Sequence, residues 1–226
     1  MRASPAATDS AVEFFPALRS LSLVRHGFVG RIPGIDVATD RAAALDRLDV
    51  AHRAIRAELG CGAMPFATAE QVHGDVIAVI DQPLSKDCCF AGADGLVTNQ
   101  PGVSLGIYVA DCCAVFLVDP VARCIGLVHS GRKGTELAIV SRAIEEMRGR
   151  FGSRPNDLVV QLSPCIRPPH YQVDFAAEIV RQVRATGVRQ VHESGRCTAC
   201  DLERYYSYRA EKARTGRMLA LLAIHP

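Results

Sequence analysis

Two short apolar runs, AVFLVD at 114–119 and CIGLVH at 124–129, are joined through the turn DPVAR at 119–123. Runs of this length, rich in Val, Ile and Leu and bounded by turn formers, read as buried strands. Pro120 presets the backbone angle at the second position of a turn. The two strands are therefore expected to pair antiparallel, which brings the residue before the first and the residue closing the second to one end. Those residues are Cys112 and His129. A thiol and an imidazole 17 positions apart are thus predicted to be neighbours, ahead of the basic turn SGRKG.

Further strands are expected at 75–80 (DVIAVI), 104–111 (SLGIYVAD) and 157–163 (DLVVQLS). Helical spacing appears at 40–60, ending at Gly60, and at 135–152, where Leu137, Val140, Ile144 and Met147 share a face. In the latter, Thr135 is the expected N-cap and Gly152 the stop. A third helix is expected at 174–187, and 201–218 reads as helical up to a break at Gly216. Strands and helices do not alternate in a βαβ rhythm. The expected fold class is α/β, a sandwich of mixed or antiparallel sheets with helices outside. A chain of 226 residues fits one such domain. Residues 1–20 are expected to be a flexible tail and 21–226 the domain.

The formal net charge of +2 is too weak to argue for nucleic acid or an anionic membrane surface, and neither is expected as a partner. No window approaches the ~18 apolar residues of a membrane span. The first residues, MRASPAATDS, lack the apolar core of a secretory signal, so a cytoplasmic location is expected. Nine cysteines, an odd number that includes two vicinal pairs, then read as reduced thiols rather than a disulfide framework.

From the residues alone, Cys112 and His129 are ligands of a metal, a nucleophile with its base, or packing groups. A third donor in a similar setting is His73, which precedes Gly74 and opens the run at 75–80. His73, Cys112 and His129 would form a His–Cys–His set with an open fourth position, the pattern of a catalytic rather than a structural zinc site. The turn HSGRKGTE, with Arg132 and Lys133 at the start of a helix, is a candidate anion cradle. CTAC at 197–200 is a lone Cys–x–x–Cys, two ligands short of a structural zinc site.

QVHG at 71–74, GADGLVTNQPGVSLGIYVADC at 92–112, GLVHSGRKGT at 126–135 and SPCIRPPHYQVD at 163–174 occur in that order, followed by CTACDLERYYSYRAEKARTGRM. Together they resemble the laccase-domain family, also called multicopper polyphenol oxidase or purine nucleoside phosphorylase-like proteins. The resemblance covers the chain from about His26 onward. It implies a single α-β-β-α layered domain, similar in architecture to the cysteine–histidine deamidase toxins of the necrotizing-factor type. It implies Zn2+ on His73, Cys112 and His129; copper fits less well, because a laccase needs several His-rich sites and this chain has seven scattered histidines.

The implied activity is phosphorolysis of purine nucleosides with deamination of adenosine, the partners being nucleoside and phosphate. Asp111 is then the candidate acid/base or orienting group, and Gln71, Arg31, Arg132 and Lys133 are candidate substrate contacts. The chain departs from the usual His-Ala-Gly-Trp-Arg-Gly turn, with Arg132 at the Trp position and Lys133 at the Arg position. A planar bidentate donor thereby becomes a point charge. Two rival readings follow: a metal-free Cys112–His129 amide hydrolase or deamidase, and a catalytically altered nucleotide-binding module. The expected state is a monomer or weak homodimer.

Overall fold

The computed structural model describes residues 11–225. In chain order the elements are β1 (Val12–Glu13), α1 (Pro16–Arg19), β2 (Val24–Val29), α2 (Arg41–Glu58), β3 (Phe66–Ala69), β4 (Ile77–Ile80), β5 (Cys88–Phe90) and β6 (Gly95–Thr98). There follow β7 (Ser104–Val109), β8 (Cys113–Asp119), β9 (Cys124–Ser130), α3 (Arg132–Glu136), α4 (Ile139–Phe151), β10 (Val159–Leu162), α5 (Phe175–Ala185), β11 (Gln190–Glu193) and β12 (Met218–Ile224).

The strands form two mixed six-stranded sheets. The first has the order β1-β2-β12-β7-β3-β5, the second β11-β10-β8-β9-β6-β4. Inner faces meet in one core, where Phe28, Leu105, Ile107 and Leu222 of the first sheet face Leu96, Phe116, Ile125 and Leu127 of the second. The alternate residues point outward. Val97, Val115, Leu117 and Val128 pack beneath Val140, Ile144 and Met147 of α4 and Ile179 and Val183 of α5. On the other side Val29, Phe66, Leu219 and Leu221 pack against Ile55 of α2. Helices therefore cover the outside of both sheets. Strands buried on both faces read as unbroken apolar runs rather than alternating ones, which accounts for AVFLV in β8 and MLALLAI in β12.

The expected β8–β9 hairpin is present, antiparallel, with Asp119 opposite Cys124 and Ala114 opposite His129. The helix expected at 40–60 is α2. Asp40 caps it by accepting from the Ala43 N–H, and Gly60 leaves it at φ 72°. The helix expected at 174–187 is α5, capped by Asp174.

Three expectations need correction. The helix at 135–152 is broken. Its first turn is α3, ending before Leu137, and Ala138 at φ 55° starts α4 afresh. Thr135 is inside α3 rather than at an N-cap, its hydroxyl donating to the Gly131 carbonyl at 2.8 Å. The stretch expected to be helical at 201–218 forms turns up to Arg217, with Lys212 and Ala213 at φ 53° and 70°, and Met218 already opens β12. Residues 11–20, expected to be part of a flexible tail, are built into the fold: β1 pairs with β2, and Leu18 of α1 is fully buried. Residues 1–10 of that tail lie outside the described residues. Among the described residues no helix is long and apolar enough to cross a membrane.

Candidate metal centre and its cavity

Asp94, fully buried in the turn before β6, organises the site. Its Oδ2 accepts the backbone N–H of Val72 at 3.1 Å and of Gly74 at 2.7 Å. Its Oδ1 accepts the N–H of His73 at 2.9 Å and lies 2.8 Å from His129 Nδ1. One carboxylate thus clamps the loop that carries His73 and the ring of His129. Clamping is needed because Gln71 and His73 have φ 64° and 62°. The left-handed region costs a residue with a side chain about 1–2 kcal/mol. Burial alone would raise the Asp94 carboxyl, but the bonds from His129 and Gly74 outweigh it and hold the group below its ordinary value.

With Nδ1–H donated to Asp94, the Nε2 lone pair of His129 is left for a ligand. Cys112 stands in the bend between β7 and β8, one residue before β8 begins. His73 and His129 meet edge to face with ring centroids 4.9 Å apart. The donor atoms of His73, Cys112 and His129 all lie within 4.8 Å of one another. Among the described residues no other group of three His, Cys, Asp or Glu side chains meets in this way. Gly131 is required beside them: a Cβ there would collide with Cys112 Sγ.

The three donors also shift one another. Burial would raise the Cys112 thiol, but the charge of His129 and hydrogen bonds from both imidazoles bring it down to about 6. Burial would lower His129, but Cys112 and Asp94 raise it to about 9. Without a metal, the pair is therefore a thiolate and an imidazolium near neutral pH. A nitrogen–sulfur–nitrogen set held by a buried carboxylate fits zinc in its donor chemistry.

The cluster lies in the wall of a cavity of about 410 Å³. Arg41, Arg132, Arg209 and Arg217 line it, with Tyr108, Tyr171 and Tyr208 and the apolar Ile166 and Phe175. The Arg209 guanidinium sits 5.0 Å from the Tyr171 ring centroid, and that of Arg217 5.8 Å from Tyr208. The carboxylate in this lining, Asp111, has both oxygens engaged. Oδ1 accepts from the Thr198 hydroxyl at 2.7 Å and Oδ2 from the Arg209 N–H at 2.8 Å. The cavity consequently carries an excess of positive charge.

The structure brings His73, Cys112, His129, Gln71, Asp111 and Arg132 to this cavity. Gln71 is a brace: its amide donates to the Tyr108 carbonyl and accepts the Tyr108 N–H. Asp111 holds the segment bearing Arg209 rather than a donor of the cluster. Arg132 pairs with Glu136 at 2.8 Å. Arg31 and Lys133 are not part of the lining. Arg31 pairs with Glu211 at 2.7 Å and stacks on Tyr206. Lys133 faces solvent from α3. Sequence reasoning missed Asp94, Arg41, Arg209 and Arg217. The acidic residue inside GADG was the available signal for the first.

A family profile described as multi-copper polyphenol oxidoreductase laccase matches residues 34–180 and 170–225. The purine nucleoside phosphorylase of Deinococcus radiodurans is 34% identical, the match covering 92% of this chain and 93% of that one. A Mycobacterium tuberculosis purine nucleoside phosphorylase is 29% identical over 91% of each. Among solved structures, Bacillus licheniformis YfiH superposes with TM-score 0.81 at 21% identity, over 95% of this chain and 96% of that one. YlmD from Geobacillus stearothermophilus superposes with TM-score 0.78 at 24% identity, over 94% of each.

Proposed function

The chain belongs to the multi-copper polyphenol oxidoreductase laccase family, and on that premise we propose that it is a zinc-dependent enzyme acting on purine nucleosides, by phosphorolysis and by deamination of adenosine. The observation that carries this reading is the convergence of His73, Cys112 and His129, with Asp94 behind two of them, on an arginine-lined cavity. The activity for which the relatives at 34% and 29% identity are named supports the reaction class.

Bound on the three donors, zinc would supply a Lewis acid able to activate water at neutral pH. The chain's own residues do the rest. Arg41 at the start of α2 and Arg209 and Arg217 in the turns before β12 would hold phosphate against the anomeric carbon, their forked N–H groups matching its oxygens. Phosphorolysis then breaks the glycosidic bond, forms the sugar phosphate and returns the base with a proton. Asp111 fixes the Arg209 wall through its bond to the Arg209 N–H. Gln71 fixes Tyr108. Tyr108, Tyr171 and Tyr208 enclose a flat, mostly apolar ligand while offering hydroxyls at its edge. Asp94 keeps His129 in the tautomer a metal requires. Copper remains the poorer match, since one Cys–His–His site does not make the several coppers of a laccase.

The test is turnover of adenosine and inosine, with and without phosphate, by protein of measured zinc content. Loss of both activities on chelation and recovery with zinc support the proposal. Absence of turnover by folded, zinc-loaded protein refutes it.

One observation favours the metal-free alternative. The Cys112 thiol brought down to about 6 beside His129 raised to about 9 is the state of an activated cysteine nucleophile. Likeness in layer order to the cysteine–histidine deamidase toxins belongs to this reading. Under it, chelation spares activity, and iodoacetamide at neutral pH alkylates Cys112 and abolishes it.

A further inference from the structure

Cys197 and Cys200 do not line the cavity and take no part in the chemistry above. Cys197 caps a 3₁₀ turn over Thr198–Cys200, and the Cys200 N–H donates to the Cys197 carbonyl at 3.2 Å. A rise of about 2 Å per residue places the two Cα atoms roughly 6 Å apart. That lies within the roughly 4.4–6.8 Å that a disulfide spans. The neighbouring Cys197 thiol raises that of Cys200 above its ordinary value. Both are reduced; Cys200 is exposed and Cys197 half-buried. The Cys197 sulfur accepts the Arg167 N–H at 3.4 Å. Since the pair has no third metal ligand among the described residues, a closed zinc site is not formed there.

We propose that Cys197 and Cys200 form a reversible dithiol–disulfide couple, oxidised by a low-molecular-weight disulfide, and that its state is transmitted to the cavity through Thr198. The Cys200 thiolate attacks one sulfur of the small disulfide, forming a mixed disulfide and expelling one thiolate. The Cys197 thiolate then attacks Cys200 Sγ, forming the intramolecular bond and expelling the second. Two protein thiols lose two electrons and two protons, and the small disulfide is reduced to two thiols. Transmission follows from position. Thr198 sits between the two cysteines, is fully buried, and donates to Asp111 Oδ1 at 2.7 Å. The other oxygen of Asp111 holds the Arg209 N–H, and Cys112 is the next residue. A change in the turn therefore reaches the wall of the cavity through two hydrogen bonds.

The test needs no assumption about the reaction catalysed. Full-length protein is incubated with oxidised glutathione, free thiols are blocked with a maleimide, and the tryptic peptide 197–204, which carries these two cysteines alone, is weighed. The expected peptide is two hydrogens lighter than the dithiol, free of glutathione and maleimide, and restored by dithiothreitol. In Cys197→Ser the same treatment leaves glutathione on Cys200. Hydrogen exchange over 205–211 is expected to change by about threefold or more between the two states. The couple is overturned if the peptide takes two maleimides under conditions that fully modify exposed Cys89, or if it is found joined to the peptide holding Cys165. The transmission is overturned if exchange over 205–211 is the same in both states.

Discussion

Replacing Asp94 by Asn changes one oxygen to an amide group and leaves nearly every other atom in place. Whichever way the amide turns, its NH2 faces donors. At the Oδ2 position it meets the N–H groups of Val72 and Gly74; at the Oδ1 position it meets those of His73 and His129. At least two charge-assisted hydrogen bonds are lost, each worth about 1.5–3 kcal/mol. The expected loss of folding stability is therefore roughly 3–6 kcal/mol, read from urea unfolding of the metal-free protein. If the NH2 turns to His129, the proton moves to Nε2 and that ligand is lost. If it turns to the loop, His73 is released from its left-handed conformation. Loss of such an outer partner typically weakens metal binding about 10–100-fold. Zinc affinity is measured by competition with a chromophoric chelator. Asp111→Asn serves as the contrast, because that carboxylate faces Thr198 and Arg209; it is expected to retain zinc within about twofold. Wild-type affinity in Asp94→Asn, or an equal loss in Asp111→Asn, would refute this account of how the donors are held.

Zinc affinity is expected to rise about tenfold per pH unit from 7 towards 9 and then level off, because His129 must lose the proton it holds up to about 9 while Cys112 is a thiolate above about 6; calorimetry in buffers of different ionisation enthalpy should record close to one proton released at neutral pH. Acid should destabilise the fold between pH 6.5 and 4 as a consequence of His26 and His52, whose burial lowers both to about 4. In that window the unfolded chain takes protons that the folded one refuses, at a cost of about 3 kcal/mol per histidine; His52→Phe should remove about half of the loss in urea midpoint between pH 7 and pH 4.5. Gly131→Ala pushes a methyl into Cys112 Sγ; about 1–3 kcal/mol of overpacking should weaken zinc binding at least about fivefold with little change in circular dichroism. Arg217→Met removes a largely buried cation of the cavity, so under the proposed function KM for phosphate should rise about tenfold or more, and an unchanged KM would exclude Arg217 from the anion site.

What could be read from the sequence was whatever rested on short-range geometry. Pro120 in its turn sets the hairpin, and the hairpin sets Cys112 beside His129; α2 and α5 follow from spacing and terminal glycines. The turns at 201–217 escaped because the helical propensity of ERYYSYRAEKA is overridden by tertiary bonds. Tyr205 and Tyr206 are buried, the Tyr206 hydroxyl accepts the Ile32 N–H at 3.0 Å, and Glu211 is held by Arg31, Ser207 and Thr215. β12 escaped because an apolar run of seven, buried on both faces, carries no period to separate strand from helix. Asp94 is one acidic residue between small ones, and only the folded loop shows three N–H groups aimed at it. Arg41, Arg209 and Arg217 converge through pairings between distant segments, which no local spacing records. The pairing of Arg31 was hidden for the complementary reason: its carboxylate partner, Glu211, lies 180 residues away.

The two sheets draw on the chain in different ways. Every strand of the second comes from one stretch, 77–193, whereas the first takes β12 from 218–224 and inserts it between β2 and β7. On the ribosome, the second sheet can assemble while the first still waits with two bare edges, and bare edges recruit other chains. A premature stop or a protease cut ahead of residue 218 would therefore leave a half-built protein prone to cross-molecule strand pairing, even though His73, Cys112 and His129 had all been made.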